Sequence, residues 1–176
     1  MTSNIILIGF MGCGKSSIGR RLASRVGHAF LDSDELIIES AAGRSISDIF
    51  AKEGEERFRE RETRALQGLI GSTSIVLATG GGAVLRPVNR EILHNIGTTV
   101  WLHAAPEILF ERANRSRKRP LLEVENPRTT FNALLEARLP VYEEAADLKI
   151  DASGLSHEQT VESIVNAVAG ADSHGA

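Results

Sequence analysis

The chain has one cysteine, Cys13, among 176 residues. That excludes an internal disulfide and a cysteine-built zinc cluster. An excess of positive charge is also missing: 20 Lys and Arg stand against 23 Asp and Glu, for a net charge of −3. A protein that binds nucleic acid over its whole surface is usually basic, so no nucleic-acid partner is expected. Long apolar runs are absent. The longest extends from Ile5 to Cys13, stops at Lys15 and has no basic region before it. It is too short to cross a bilayer, so neither a signal peptide nor a membrane helix is expected. The histidines (His28, His94, His103, His157 and His174) show no metal-ligand spacing, and no internal repeat or low-complexity tract is visible. These features suggest a soluble protein of a reducing, cytoplasmic compartment.

What remains is ordinary globular composition, with 42% hydrophobic and 24% charged residues, enough for one domain. Short apolar runs at 4–9, 29–32, 74–79, 98–103 and 148–151 read as buried parallel strands. Segments of helical period lie between and after them, at 15–26, 34–41, 45–52, 55–70, 88–96, 106–115, 127–146 and 157–169. Pro106 and Pro127 suit first-turn positions, with Asn126 as a cap before the latter. Ser156 and Gln159 have capping-box spacing, and Pro140 is expected to bend or interrupt its helix. Strand–helix alternation of this kind predicts an α/β fold with helices on both faces of a parallel sheet, and its ligands beyond the carboxyl ends of the strands.

The motifs fall at that edge. Gly9-Phe10-Met11-Gly12-Cys13-Gly14-Lys15-Ser16 matches G-x-x-x-x-G-K-[ST], between a strand and a helix. Backbone N–H groups of such a loop and the helix N-terminus cradle a phosphate chain, the lysine reaches the β- and γ-phosphates, and the serine hydroxyl can ligate Mg²⁺. No guanine-reading Asn-Lys-x-Asp motif follows, which argues against a Ras-like GTPase. The third strand ends Ala78-Thr79-Gly80-Gly81-Gly82, without the acid that often helps hold Mg²⁺ there. Asp32-Ser33-Asp34 supplies carboxylates instead. Read as extended chain, Asp32 and Asp34 face one side, Asp32 toward the metal and Asp34 toward an acceptor hydroxyl. Gly80, Gly81 and Gly82 read either as a flexible turn or as a close backbone approach to a ligand, their N–H groups then bonding a substrate carboxylate or hydroxyl. The charged run from Glu55 to Arg64 reads mostly as a solvated helix with i,i+4 pairs such as Glu55–Arg59 and Glu60–Arg64. The cations from Arg115 to Arg119 read either as a solvated loop or as a lid over triphosphate. Cys13, inside the phosphate loop, reads as a small filler whose thiol can report on ATP.

In order and spacing, these pieces resemble the shikimate kinase family over nearly the whole chain. They are the phosphate loop, Asp32-Ser33-Asp34, Phe58-Arg59-Glu60-Arg61-Glu62, Gly80-Gly81-Gly82, Arg119-Pro120-Leu121-Leu122 and Arg138-Leu139-Pro140-Val141-Tyr142. The resemblance implies a three-layer P-loop kinase fold with a five-stranded parallel sheet of order 2-3-1-4-5. It implies transfer of the ATP γ-phosphate to the 3-hydroxyl of shikimate, with Mg²⁺ as cofactor, in a monomer. It implies a single domain over 1–170, with a substrate-binding region about 33–62, a lid about 113–125 and a disordered tail at 171–176. Lys15, Asp34 and Arg119 are then catalytic. Gly12, Cys13, Gly14, Lys15, Ser16, Ser17, Arg112 and Arg119 bind ATP, Arg112 packing on adenine. Asp34, Arg59, Gly80, Gly81, Gly82 and Arg138 bind shikimate, and Glu62 orients Arg59. Ser16 and Asp32 hold the metal, Asp32 through water. Two rivals share the phosphate loop: a related small-molecule kinase such as a gluconate kinase, and a nucleotide-binding regulator without catalysis.

Overall fold

The computed structural model describes residues 3–115 and 125–174. Among these, five strands form one parallel sheet: β1 (Ile5–Ile8), β2 (Ala29–Asp32), β3 (Ile75–Ala78), β4 (Thr98–His103) and β5 (Leu148–Asp151), in the order β2-β3-β1-β4-β5. β1 and β3, Ile-Ile-Leu-Ile and Ile-Val-Leu-Ala, are buried throughout, as central strands covered on both faces must be. The edge strands β2 and β5 are partly exposed. Register is continuous across the middle of the sheet, with Leu7 opposite both Ala78 and Val100. β1 leads toward one edge of the sheet and β4 toward the other, so a crevice opens beyond their carboxyl ends.

The helices are α1 (Lys15–Val26), α2 (Ser33–Ser40), α3 (Ile46–Gln67), α4 (Pro87–Ile96), α5 (Pro106–Asn114), α6 (Pro127–Ala145) and α7 (His157–His174). The two helices expected at 45–52 and 55–70 are both present as the two parts of α3, separated at Gly54, whose φ of 82° and ψ of 169° no helix accommodates. The second expected piece ends at Gln67, where Gly68 follows. Pro106 and Pro127 occupy first-turn positions, and Ser156 and Gln159 make a reciprocal capping box at 2.9 and 3.2 Å. Asn126 makes no side-chain cap to α6, and α6 passes through Pro140 without interruption. α7 continues to His174, so 171–174, expected as tail, are helical. The stretch around Gly170 holds three alanines and no proline, and one glycine costs a helix only about 1 kcal/mol.

The main core joins the sheet to α1 and to the apolar faces of α4 to α7. A second, small cluster is separate: Ile37, Ala41, Ile49 and Phe58, with Ile46, Phe50 and Ala65 against it. It binds α2 to α3 and gives this helical pair its own support beside the crevice.

Candidate active site

The phosphate loop connects β1 to α1 at the crevice. Its tight course needs Gly12. The φ there is +86°, and a Cβ would lie 2.4 Å from the Leu109 carbonyl oxygen of α5. The loop borders an open cavity of about 370 Å³ that Gly12, Gly14, Lys15, Ser16, Ser17, Asp32, Asp34 and Arg112 help to line. With Gly80 and Gly81, ten expected residues therefore meet in one place. The Lys15 ammonium donates to the loop's own carbonyls, Gly9 O at 2.6 Å and Phe10 O at 3.2 Å.

Asp32 and Asp34 do share the cavity, but not as neighbours in a strand. β2 ends at Asp32, whose carboxylate caps α2 by accepting from the Asp34 N–H at 3.0 Å, and Asp34 already belongs to the helix. The other Asp32 oxygen accepts from the Ser16 hydroxyl at 2.8 Å. A hydroxyl and a carboxylate thus stand side by side at the phosphate cavity. Both are oxygen donors, and no group of three or more His, Cys, Asp or Glu suited to a metal occurs among the described residues. So sparse and hard a donor set fits Mg²⁺, which keeps several waters and takes other ligands from phosphate oxygens.

A second, smaller and more apolar cavity of about 210 Å³ adjoins the first. It lies below the usual range for drug-sized ligands, so its occupant is small. Arg59, Glu62, Arg138 and Gly80 to Gly82 line it, and it shares Met11, Asp34, Gly80 and Gly81 with the phosphate cavity. Arg59 is held on α3 by Glu62 at 2.9 Å and Glu55 at 3.3 Å. The Glu62 side chain is 1% exposed, and burial raises its pKa above the ordinary value, against the pull of the Arg59 guanidinium. Its second oxygen, Oε1, is buried with no hydrogen-bond partner. Arg138 on α6 is 8% exposed, and its guanidinium lies 5.5 Å from the Phe10 ring centre. Two arginines, one balanced by Glu62, leave this small cavity ready for a carboxylate. Gly82 leaves room for the Arg59 guanidinium, since a Cβ there would fall 2.6 Å from both of its terminal nitrogens and push the arginine aside.

Several expectations change. Cys13 is fully buried, and its thiol accepts from Lys15 at 3.4 Å beneath the loop. A buried side chain cannot report on ATP by reacting. Ellman's reagent is expected to label native Cys13 slowly, with or without ATP, and rapidly once the chain is unfolded. Fast native labelling that ATP blocks would contradict this placement. Glu60 bonds Arg57 at 2.8 Å rather than pairing with Arg64, because i,i+3 neighbours are as close as i,i+4. The Gly80 N–H is taken by the Ser33 hydroxyl at 2.9 Å, so it does not face a ligand. Arg119 and most of the expected lid lie outside the described residues.

Sequence reasoning missed several contributors, Met11 among them, which lines both cavities. Thr79 and His157 line the phosphate cavity, the latter from the start of α7. Ile46 and Phe50 line the smaller cavity, beside Phe58 whose ring centre is 4.5 Å from that of Phe50. A capping box just before His157 marked a helix start, but only the folded chain puts that start beside the phosphate loop. Ile46 and Phe50 are spaced as core residues of any helix.

Comparison with known proteins narrows the reading. A family model described as shikimate kinase matches residues 11–169. The chain belongs to the shikimate kinase family. A shikimate kinase of Thermodesulfovibrio yellowstonii is 45% identical over 162 residues, covering 92% of each chain. A shikimate kinase structure from Acinetobacter baumannii, in complex with shikimate, superposes with a TM-score of 0.91 at 40% identity, covering 97% of this chain and 94% of that one. A gluconokinase structure from Sinorhizobium meliloti shares only the fold, with a TM-score of 0.53 and 18% identity. The shikimate kinase match spans the phosphate loop from Met11, the Asp32 corner, the glycines after β3 and the Arg138 segment of α6. The chain is accordingly an ATP-dependent kinase.

Proposed function

We propose that the enzyme transfers the γ-phosphoryl group of ATP to the 3-hydroxyl of shikimate, giving shikimate 3-phosphate and ADP. One observation supports this most strongly: the phosphate cavity opens through Asp34, Gly80 and Gly81 onto a small cavity holding Arg59 and Arg138. A phosphoryl donor and a small hydroxylated carboxylate fit side by side there. The relative solved with shikimate bound supplies the acceptor's identity.

Each residue then has a task. Lys15 exchanges its two loop carbonyls for β- and γ-phosphate oxygens. Gly12, Gly14, Ser16 and Ser17 surround the phosphates, and Arg112 packs on the adenine from α5. Arg59 and Arg138 hold the acceptor carboxylate, and the apolar rings of Phe50 and Phe58 bound the cavity. Asp34, on the wall common to both cavities, accepts a hydrogen bond from the acceptor hydroxyl and aligns its oxygen with the γ-phosphorus. The new O–P bond forms as the bond to the ADP oxygen breaks, and the hydroxyl proton passes to Asp34. In a loose transition state that proton leaves late, so positioning outweighs basicity. Ser16 and Asp32 would hold Mg²⁺, which when bound neutralises phosphate charge. Arg119 is proposed as the lid cation.

An ADP-release assay with shikimate, gluconate and nucleoside monophosphates as acceptors tests the reading. Shikimate-dependent release is expected; release with another acceptor alone would overturn it.

The Glu62–Arg59 pair adds a pH signature. Glu62 has a raised pKa, so on acidification it takes up a proton at a higher pH than a solvated glutamate does. Neutral Glu62 no longer balances or orients Arg59. The KM for shikimate is therefore expected to rise on the acid side, starting above the ordinary glutamate range. In Glu62→Gln it should already be high at neutral pH and change little in that window. Parallel pH profiles for the two proteins would contradict the pairing.

A further inference from the structure

Gly80 to Ala83 form a turn at the boundary of the two cavities, closed by a bond from the Ala83 N–H to the Gly80 carbonyl at 3.1 Å. Gly82 has φ −104° and ψ 0°, the third-position geometry of a type I turn. Glycine at that position makes the alternative cheap, because a type II turn differs mainly by a flip of the central peptide and prefers glycine there. The central peptide is Gly81–Gly82. Local chemistry does not decide which way it points.

A distant residue does. The Tyr142 hydroxyl of α6 donates to the Gly81 carbonyl at 2.5 Å. Tyr142 is buried and stacked on Trp101 of β4, with ring centres 5.8 Å apart and planes 23° from parallel. Its hydroxyl therefore has a fixed position, and burial, which raises its pKa, keeps it a proton donor. Arg138 also approaches the Gly81 carbonyl, at 3.4 Å. Across a planar trans peptide the N–H points opposite to the C=O. Since the Gly81 carbonyl is turned toward buried Tyr142, the Gly82 N–H is turned away from it, and it makes no hydrogen bond among the described residues. Gly81 and Gly82 both line the smaller cavity.

We propose that Tyr142 is a positioning residue for the acceptor: by holding the Gly81 carbonyl, its hydroxyl locks the Gly81–Gly82 peptide with the N–H presented to the acceptor's anionic group. The same bond, much shorter than the Arg138 contact, gives the carbonyl a neutral donor, so that the carbonyl does not depend on Arg138. A flipped peptide would instead aim a carbonyl oxygen at a carboxylate. This inference rests on the proposed acceptor and adds the device that readies the site for it.

The test is Tyr142→Phe, which keeps the ring and its stack on Trp101. Loss of one hydrogen bond to a charged group, partly offset by Arg138, is expected to raise the KM for shikimate about tenfold. The KM for ATP should stay within about twofold. In ¹⁵N spectra, the Gly82 amide of the wild type should shift on adding shikimate, and that shift should shrink or split in the variant. A merely structural role would raise both KM values and lower the thermal midpoint, leaving the Gly82 response intact; that outcome, or an unchanged KM for shikimate, overturns the proposal. A wild type that releases no ADP with shikimate overturns the acceptor assignment instead.

Discussion

Lys15→Ala is expected to lower kcat for phosphoryl transfer by about a thousandfold, the scale seen when one preorganised charge-stabilising donor is removed. The ammonium stands at the head of α1, within reach of its own loop's carbonyls, whereas Arg112 and His157 reach the same cavity from α5 and α7. In the proposed reaction its bonds to Gly9 and Phe10 would give way to bonds to phosphate, so the ammonium would meet the transferring group without first being drawn from bulk water. The loop's course depends on backbone geometry at Gly12 and on packing against α5, so the fold should survive the substitution. Single-turnover kinetics, with a thermal melt as control, make the measurement. Turnover near the wild-type rate would remove Lys15 from the mechanism.

Arg138→Ala is expected to weaken shikimate binding by about a hundredfold or more, corresponding to the roughly 2–5 kcal/mol lost when one partner of a buried charged pair is truncated. ATP binding should change by less than about threefold, because Arg138 borders only the smaller cavity. The selectivity follows from placement. Arg138 comes from α6, beneath the Gly81 turn and beside Phe10, and it is screened from water. Arg59 comes from α3, and its charge is already shared with Glu62 and Glu55. The less compensated arginine is therefore expected to carry more of the acceptor's carboxylate. Calorimetric titration with shikimate and, separately, with ADP measures both effects. Equal weakening of the two would make Arg138 a general structural residue.

The strands and most helix limits were legible because they rest on local signals: unbroken apolar runs, prolines in first turns, the Ser156–Gln159 box. The phosphate loop was legible for the same reason, since its glycines and lysine are consecutive and serve one local geometry. The placement of Asp32 and Asp34 was right for the wrong cause. They share a side not as alternate residues of an extended chain but because Asp32 ends the strand and caps the helix that carries Asp34. Cys13 shows the opposite failure. Its neighbours in the chain touch phosphate space, yet its own side chain turns into the core.

By themselves, the residues determined the sheet's alternation with helices, the phosphate-binding loop, and the carboxylates and arginines available for an acceptor. Tertiary structure decided which of these meet. Only the return of α6 across the carboxyl edge of the sheet puts Arg138 and Tyr142 under Gly81, and only the packing of α2 on α3 brings Ile46 and Phe50 to the acceptor cavity. The physical reason is range. Turns, caps and helical periods are settled within a few residues, whereas the direction of the Gly81–Gly82 peptide is set by a hydroxyl sixty-one residues away.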